Sequence, residues 1–536
     1  MPEYDTEVLI AGGGPVGMTL ALELARHGVR SLLVERNATT TTHPKMDLTN
    51  GRSMELFRRL GIVDKLRAVG VPASEPLDIV WATSPLGHVL HRFAYPSPLA
   101  SAEIARLAND GTGTREPAMR VSQIVLEPVL KREIDASPLV DVRFGWTYSA
   151  LEQNAEGVTA TIADSRTGEE RRVRARFLAG CDGGGSKVRR DLGIALEGQH
   201  AIAQAFMVHF RSNDVATLGR FGLAYHLQTL KGTIIAQNGR DIFTLHVVGC
   251  PADADPAELL RDFVGRDFEY EVLVANPWTP HVVVAAAYRS GRAFLCGDAG
   301  HQFIPTGGYG MNTGIGDAID LGWKLAATLQ GWGGEALLDS YDTERRTTAI
   351  RNRDMAFGHM GTRMAIGEQL ARHAADPSID DAGAAERRIA LGEAIRQLGN
   401  AENESWGIEH GFRYENSAII VDDGIETNFD PLRCDGRLLS GGRLPHIFLG
   451  DGRALFDMLG PAFTLFVIGD AEPGDIEAAS GGTPVEIVRL EREAALERWP
   501  SRLILVRPDQ HISWHGTKAP ADWQTVFDIA TGRRTA

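Results

Sequence analysis

Cysteine is scarce in this chain: four residues in 536, Cys181, Cys250, Cys296 and Cys434, with no C-x-x-C pair. That excludes a dithiol redox motif and a closely spaced four-cysteine metal knot, and each thiol reads as a small buried apolar side chain. No H-E-x-x-H and no close His/Cys/Asp cluster occurs, so no protein-bound metal is expected. No uninterrupted apolar run is long enough to span a bilayer, and no charged-then-apolar leader precedes the first strand. A cytoplasmic protein without membrane association is the expectation. Basic residues are outnumbered, 55 against 70, for a formal charge of −15. That balance, without interleaved aromatic and basic residues, argues against a nucleic-acid partner while permitting a local basic pocket.

What is present begins with size. A chain of 536 residues, 43% hydrophobic and 23% charged, predicts a globular protein of two or three domains with a sizeable core. The most informative stretch is Val8-Leu9-Ile10-Ala11-Gly12-Gly13-Gly14-Pro15-Val16-Gly17. It reads as an apolar strand, a glycine turn and an Ala/Leu-rich helix, followed by a second strand, Ser31 to Val34, ending in Glu35. Gly12, Gly14 and Gly17 give the G-x-G-x-x-G spacing: a tight turn, backbone approach to a pyrophosphate, and close helix–strand packing. Glu35, 23 residues after Gly12, stands where a carboxylate accepts hydrogen bonds from ribose hydroxyls. With the helix N-terminus facing the phosphates, the whole predicts a dinucleotide site.

Further on, Asp47 precedes an amphipathic helix from Ser53 to Gly61, a carboxylate positioned either to cap or to meet a substrate. The strand Phe177 to Gly180 delivers Cys181-Asp182-Gly183-Gly184-Gly185-Ser186, with Arg189 in the helix that follows. Residues 203–210, 222–228, 232–237 and 241–249 read as successive strands of an antiparallel sheet, with His226 and Gln228 among the residues able to face a pocket. Gly297-Asp298 then ends a buried strand, and the segment from Pro305 through Gly307, Gly308, Gly310, Met311 and Asn312 to Gly316 is a glycine-dense loop entering a helix. Close backbone approach to a planar ligand accounts for so many glycines. Helices follow to about residue 397, with a turn at Asp376–Asp381 around Pro377. A third α/β unit starts near residue 405, with strand-like segments that include Ile447–Leu449.

Taken together, the fingerprint, the Asp182-Gly183 turn with Ser186 and Arg189, and Gly297-Asp298 with His301, Pro305, Gly307-Gly308, Gly310 and Asn312 closely resemble the single-component FAD-dependent aromatic hydroxylases. That is the flavoprotein monooxygenase family of p-hydroxybenzoate hydroxylase and phenol hydroxylase. The resemblance covers roughly residues 5–375, and the unit from 405 resembles the thioredoxin-like extension of the phenol hydroxylase branch, here without a dithiol. It implies an α/β fold in which 1–75, 105–190 and 281–375 form a Rossmann-like FAD-binding domain. An antiparallel substrate-binding sheet domain (76–104 and 191–280) is inserted into it, and a helical connection (376–404) leads to a thioredoxin-like domain (405–536). A homodimer is the expected assembly.

The resemblance also implies roles. Gly12, Gly14, Pro15, Gly17, Glu35 and Arg36 would hold the AMP half of FAD; Gln123 and Asp182 would lie near its phosphates and ribityl chain. Asp298 would take the ribityl and pyrophosphate region, and Pro305, Gly308, Gly310, Met311 and Asn312 the isoalloxazine ring. NADPH or NADH would bind transiently in a groove near Lys45, Arg52, Asp182 and Arg189, since no second complete fingerprint occurs. Asp47 falls where phenol hydroxylase carries its active-site Asp, making it the candidate general base, with His226, Gln228 and Pro305 toward substrate. The implied reaction is NAD(P)H- and O2-dependent hydroxylation of a phenolic ring through a flavin C4a-hydroperoxide. The alternative is a tailoring monooxygenase acting on a polycyclic aromatic natural product, with or without a coupled decarboxylation, because the His43-Pro44 and Gly51 to Arg59 segments also resemble those of indolocarbazole and polyketide pathway enzymes. A flavin-binding protein without turnover is the reading from another class, and NAD(P)H turnover separates it from an enzyme.

Overall fold

The computed structural model describes residues 4–372 and 380–534. The turn around Pro377 and the boundary drawn at 375/376 lie outside the described residues. The N-terminal strand Thr6–Ala11 is buried along nearly its whole length. Both its faces are covered, which is why it reads as a continuous apolar run and not as an alternating one. It is the middle of a parallel set running Ala293–Leu295, Glu170–Gly180, Thr6–Ala11, Ser31–Glu35, Val140–Phe144. From Thr6–Ala11 the chain goes first to one side and later to the other. The crevice beyond the carboxyl ends of these strands is therefore a switch point, the standard ligand position of a doubly wound sheet. Helix Pro15–Arg26 packs on helix Tyr309–Leu329, and glycines set the spacing: a Cβ at Gly314 would stand 2.6 Å from Val16 Cγ2, and one at Gly322 2.5 Å from Glu23 Cγ.

The second sheet has seven strands in the order Glu271–Trp278, Ala205–Arg211, Ile242–Val248, Gly232–Ala236, His226–Thr229, Ile79–Ala82, Val89–Phe93. Its last two strands come from the earlier excursion out of the nucleotide fold, so the sheet is assembled from two separate insertions. It departs from the fully antiparallel expectation at one pair, His226–Thr229 beside Ile79–Ala82, which is parallel. Those two strands are joined through the FAD-binding region, so no hairpin turn dictates their relative direction. One face carries Val80, Leu227, Ile234, Leu245 and Val208, packed with Leu260, Phe263 and Val264 near helix Pro256–Val264. The other face is polar and turns toward helix Thr347–Arg372.

The C-terminal unit is a four-stranded sheet ordered Val485–Leu490, Phe463–Ile468, Leu503–Val506, Ile512–Gly516, followed by helix Trp523–Ala530. The thioredoxin-like fold expected for it is not indicated. The connections between its strands hold only four-residue helices, Ile476–Ala479 and Ala494–Glu497, and residues 412–454 contain no strand. Ile447–Leu449 in particular stays out of a sheet because Asn109 takes both backbone groups of Phe448: the Phe448 N–H donates to Asn109 Oδ1 at 2.8 Å, and Asn109 Nδ2 donates to the Phe448 carbonyl at 2.9 Å. Phe463, Leu465, Leu503 and Phe527 pack in one cluster with Trp323, Trp332 and Leu337 of the FAD-binding region. The two units thus share a core.

A buried ionic knot completes that junction. Arg507, 1% exposed, donates to Glu344 at 2.7 Å, to Asp320 at 3.0 Å and to Asp509 at 2.6 Å; Lys324 donates to Asp320 and Glu344. Removing one partner of a buried pair strands the others in low dielectric and costs about 3–5 kcal/mol. Arg507→Met is therefore expected to lose stability of that order in urea unfolding of the FAD-loaded protein; a loss below about 1 kcal/mol would place the knot among exposed, weakly contributing pairs.

Candidate active site

At the nucleotide end, the first glycine is forced by geometry. Gly12 has φ +114, and a Cβ there would lie 2.1 Å from the Cys181 carbonyl oxygen; one at Gly17 would lie 2.0 Å from Gly12 O. Gly14 differs: among the described residues no atom beyond its chain neighbours lies within 4 Å of its Cβ position. It caps helix Pro15–Arg26 without any side-chain hydrogen bond, and Pro15 lacks an N–H, so the free donors of the first turn face open space. Glu35 reaches back to this turn, accepting from the Gly13 N–H at 2.8 Å and from the Asn37 N–H at 2.9 Å, while Arg36 is exposed.

The Asp298 carboxylate, on the short turn Gly297–Ala299, is exposed and has no hydrogen-bond partner among the described residues, leaving both oxygens free to accept from a ligand. The turn is held from beneath by Asp317, which accepts from the Gly297 N–H, from His301 Nε2 and from Arg345 Nε. Gly307 (φ +83) and Gly308 (φ +66) are left-handed, bringing bare backbone to the start of helix Tyr309–Leu329, and a Cβ at Gly310 meets no atom within 4 Å. Pro305 is exposed and Met311 half-buried beside this loop. Two uncapped helix starts, two glycines facing open space and a free carboxylate between them fit an elongated ligand with a pyrophosphate at one end and a flat ring at the other.

Asp47 lies just before the short strand Leu48–Thr49, which pairs with Met119–Arg120. Its Oδ1 accepts from Tyr225 Oη at 3.3 Å; its Oδ2 is shielded and has no partner. Burial pushes its pKa up to about 6, against the opposing pull of the Arg120 charge and the Tyr225 hydrogen bond. His226 stacks on Tyr225, ring centroids 4.0 Å apart. Burial drives His226 well below the usual histidine range and His246 down to about 4, so both are neutral imidazoles near pH 7.

The polar sheet face extends this pocket. One cross-strand row runs Trp81, Gln228, Thr233, His246, Met207, Asn276, with Trp278 two residues on from Asn276. Gln228 Nε2, His246 Nδ1, Asn276 Oδ1 and Trp278 Nε1, together with His226 Nδ1 and Gln237 Oε1, are shielded and unpartnered. Buried polar atoms are nearly always satisfied, so such a collection on one face marks a ligand surface. Tyr225, Arg120, Gln237, Asn276 and Trp278 had not been singled out from the sequence. The available signal was the two-residue alternation of Asn276 and Trp278 around Pro277 in an edge strand.

Most of the other expected positions make hydrogen bonds within the protein. Arg52 is 8% exposed and donates to Gln510 Oε1 at 2.5 Å and to the Asp509 carbonyl at 2.6 Å, which removes it from any surface groove. Arg189 is likewise buried, with Nη1 donating to the Ala299 carbonyl at 2.9 Å, supporting the Asp298 turn from behind. Asp182 caps a helix, accepting from the Lys187 and Val188 N–H groups and from the Ser186 hydroxyl. Gln123 donates to Glu127 at 2.7 Å, and Glu127 accepts from the Thr41 N–H, so this pair clasps the loop that leads to Asp47. Lys45 is exposed on that loop. Among the described residues no helix is long and apolar enough to cross a membrane, and no group of three or more His, Cys, Asp or Glu could hold a metal ion.

A model of the FAD binding domain family matches residues 5–356. The chain belongs to this family of FAD-dependent aromatic monooxygenases. A second model, the C-terminal region of aromatic-ring hydroxylases, matches residues 437–533 and accounts for the terminal unit. The chain is 38% identical to the FAD-dependent monooxygenase apdD of Emericella nidulans, over 95% of this chain and 87% of that one. It is 33% identical to aklavinone 12-hydroxylase DnrF of Streptomyces peucetius, over 88% and 93%. A solved structure of the rebeccamycin biosynthetic enzyme RebC with reduced flavin superposes with a TM-score of 0.87 at 34% identity, covering 98% of this chain and 99% of that one. This monooxygenase therefore binds FAD and oxidises an aromatic substrate. These relatives fit natural-product tailoring better than the small-phenol hydroxylation expected first from the sequence.

The first two glycines of the fingerprint should respond differently to substitution. Gly14→Ala is expected to fold normally but bind FAD roughly 10- to 100-fold more weakly, because overpacking a tight contact costs about 1–3 kcal/mol. Gly12→Ala is expected to lose stability before FAD is added, as its Cβ meets backbone. Fluorescence titration of FAD and thermal unfolding of the apoprotein check both; equal behaviour of the two variants would contradict the geometry.

Proposed function

We propose that this enzyme hydroxylates a polycyclic aromatic substrate bearing a phenolic group, with NAD(P)H as reductant, O2 as co-substrate and Asp47 as general base. The observation that carries this reading is the length of the unsatisfied polar row. Gln228 to Asn276 spans four interstrand steps of about 4.8 Å, roughly 19 Å in all. That is several times the width of one benzene ring, and a lone phenol would leave most of these polar atoms buried without partners, each at a cost of about 1–3 kcal/mol. A fused-ring substrate carrying oxygens along its edge would satisfy them. The relatives known for tailoring chemistry support the same reading.

FAD, when bound and reduced, supplies the activation of O2 and the oxygen transfer. The chain's own residues do the rest. Asp47 Oδ2 accepts the phenolic proton, raising electron density on the ring carbons. Tyr225 Oη donates to Oδ1 and fixes the carboxylate so that Oδ2 is the oxygen presented. The first-turn N–H groups after Gly308 would hold the ring end of the cofactor and stabilise negative charge developing there. The walls formed by the sheet face and helix Thr347–Arg372 keep water from the reacting edge.

A base works in its ionised form, so kcat/KM is expected to fall as pH drops below about 6 and to level off above it. Asp47→Asn should retain FAD, lower kcat by about 10²–10⁴-fold and abolish that acid limb. NADPH oxidation with hydroxyanthraquinones and tetracyclic phenols, compared with phenol and 4-hydroxybenzoate, tests substrate size, with mass spectrometry of products. Gain of one oxygen atom only with the fused-ring compounds supports the reading. Concomitant loss of carbon dioxide from carboxylated members would add the coupled decarboxylation. Efficient hydroxylation of simple phenols, or full product formation by Asp47→Asn, would overturn substrate class or base respectively.

A further inference from the structure

Arg120 is a buried cation with nothing to neutralise it in contact. It is 3% exposed, and only one of its three side-chain nitrogens is used: Nη2 donates to the Ala236 carbonyl, while Nε and Nη1 are shielded and unpartnered. Its guanidinium lies over the Tyr225 ring, 5.0 Å from the centroid. Among the described residues it forms no ion pair. The backbone fixes it relative to Asp47: Leu48 is paired with Arg120, and the Val121 N–H donates to the Asp47 carbonyl at 2.7 Å. The charged and titratable groups around it are Asp47, Tyr225 and Glu75, with His226, His246, Arg363 and Glu402 acting on the same pocket from the sheet, helix Thr347–Arg372 and the segment that follows. Asp47 and Arg120 therefore lie close together, each with a shielded polar atom that has no partner among the described residues.

We infer that Arg120 is a catalytic residue of the proposed hydroxylation, whose free Nε–H and Nη1–H donate to the phenolic oxygen that Asp47 deprotonates and hold it as phenolate. The proton balance closes within the site. The substrate O–H bond breaks, the proton passes to Asp47 Oδ2, and the negative charge leaves the carboxylate for the substrate oxygen. The pocket holds one cation and one anion before and after the transfer, and only the anion's position changes. Without Arg120 the same transfer would place the charge in a water-poor space with no cation beside it. Tyr225 cannot replace it, because its hydroxyl is spent on Oδ1 of Asp47.

This inference rests on the phenolic reading proposed above, and its test separates the two. Alizarin, a fused-ring phenol whose colour changes on ionisation, is titrated with pH on the FAD-loaded protein without reductant, so no turnover occurs. In Arg120→Met the ionisation of the bound dye is expected to move about one pH unit or more above that in the unmodified enzyme, a tenfold or larger change in its ionisation constant. In Asp47→Asn it is expected to move the other way, since a repelling carboxylate is removed. Arg120→Lys, which keeps the charge, should lie between Arg120→Met and the unmodified enzyme. A purely structural role would not produce shifts of opposite sign, and FAD content reports that each variant is folded. An unchanged ionisation in Arg120→Met would overturn the assignment of Arg120. If alizarin fails to bind the unmodified enzyme, the fused-ring substrate class is overturned and 4-nitrophenol is titrated in the same way. The same pattern there keeps Arg120 as the phenolate partner, and no binding of either dye overturns both.

Discussion

The Asn312 carboxamide fixes the distance between the Gly307–Gly308 loop and the Asp47 segment. Its Oδ1 accepts from the Asn50 N–H at 3.1 Å, and its Nδ2 donates to the Leu48 carbonyl at 3.1 Å and to the Gly308 carbonyl at 2.7 Å. Gly308 opens helix Tyr309–Leu329, and Leu48 follows Asp47. Two loops separated by more than 250 residues of chain are thereby joined through one planar group whose donors and acceptor are all used. Loss of any of these bonds would leave a buried backbone group unsatisfied and let the Asp47 carboxylate drift relative to the glycine loop. Reactivity of this kind is sensitive to displacements of about 1 Å.

The terminal unit extends that constraint. Helix Gly51–Arg59, continuous with the Asp47 segment, is gripped from the C-terminal side by Arg52 on Gln510 and the Asp509 carbonyl, and by Glu55 on Arg443 at 2.5 and 2.9 Å. Arg443 and Arg52 hold the Glu55 carboxyl well below the usual range despite its burial. The Arg507 knot ties the same unit to helix Tyr309–Leu329 through Asp320 and Lys324. A C-terminal unit without a dithiol thus has a mechanical role. It clamps the helix after Asp47 and the helix after the glycine loop to one body, so that the Asp47 carboxylate and the Gly307–Gly308 loop keep a fixed relation.

Opposite these clamps lies a surface left deliberately incomplete. One face of the seven-stranded sheet is closed by helix Pro256–Val264 with apolar side chains; the other carries shielded histidine, amide and indole atoms that find no partner among the described residues. Neutral His226 and His246 can each donate or accept, so the face can meet hydroxyl and carbonyl oxygens alike. The contrast between the two faces turns a common sheet into a recognition surface.

The sequence by itself determined the nucleotide end and the fold class. The glycines at 12, 14 and 17, the strand before them and Glu35 after them lie within thirty residues and obey spacings imposed by local sterics, and the loop from Pro305 to Asn312 carries its geometry in its glycine content. Asp47 was legible only through resemblance, since a carboxylate ahead of a helix has no distinctive spacing. Tertiary structure alone decided that Arg52 faces the terminal unit and not solvent, that Arg189 braces a turn, and that the terminal unit is not indicated to be thioredoxin-like. It alone brought Arg120 and Tyr225 to Asp47 and lined up Gln228, His246 and Asn276. Those relations depend on strand register and on pairings across tens to hundreds of residues, where a shift of one position sends each side chain to the opposite face and leaves the local pattern unchanged.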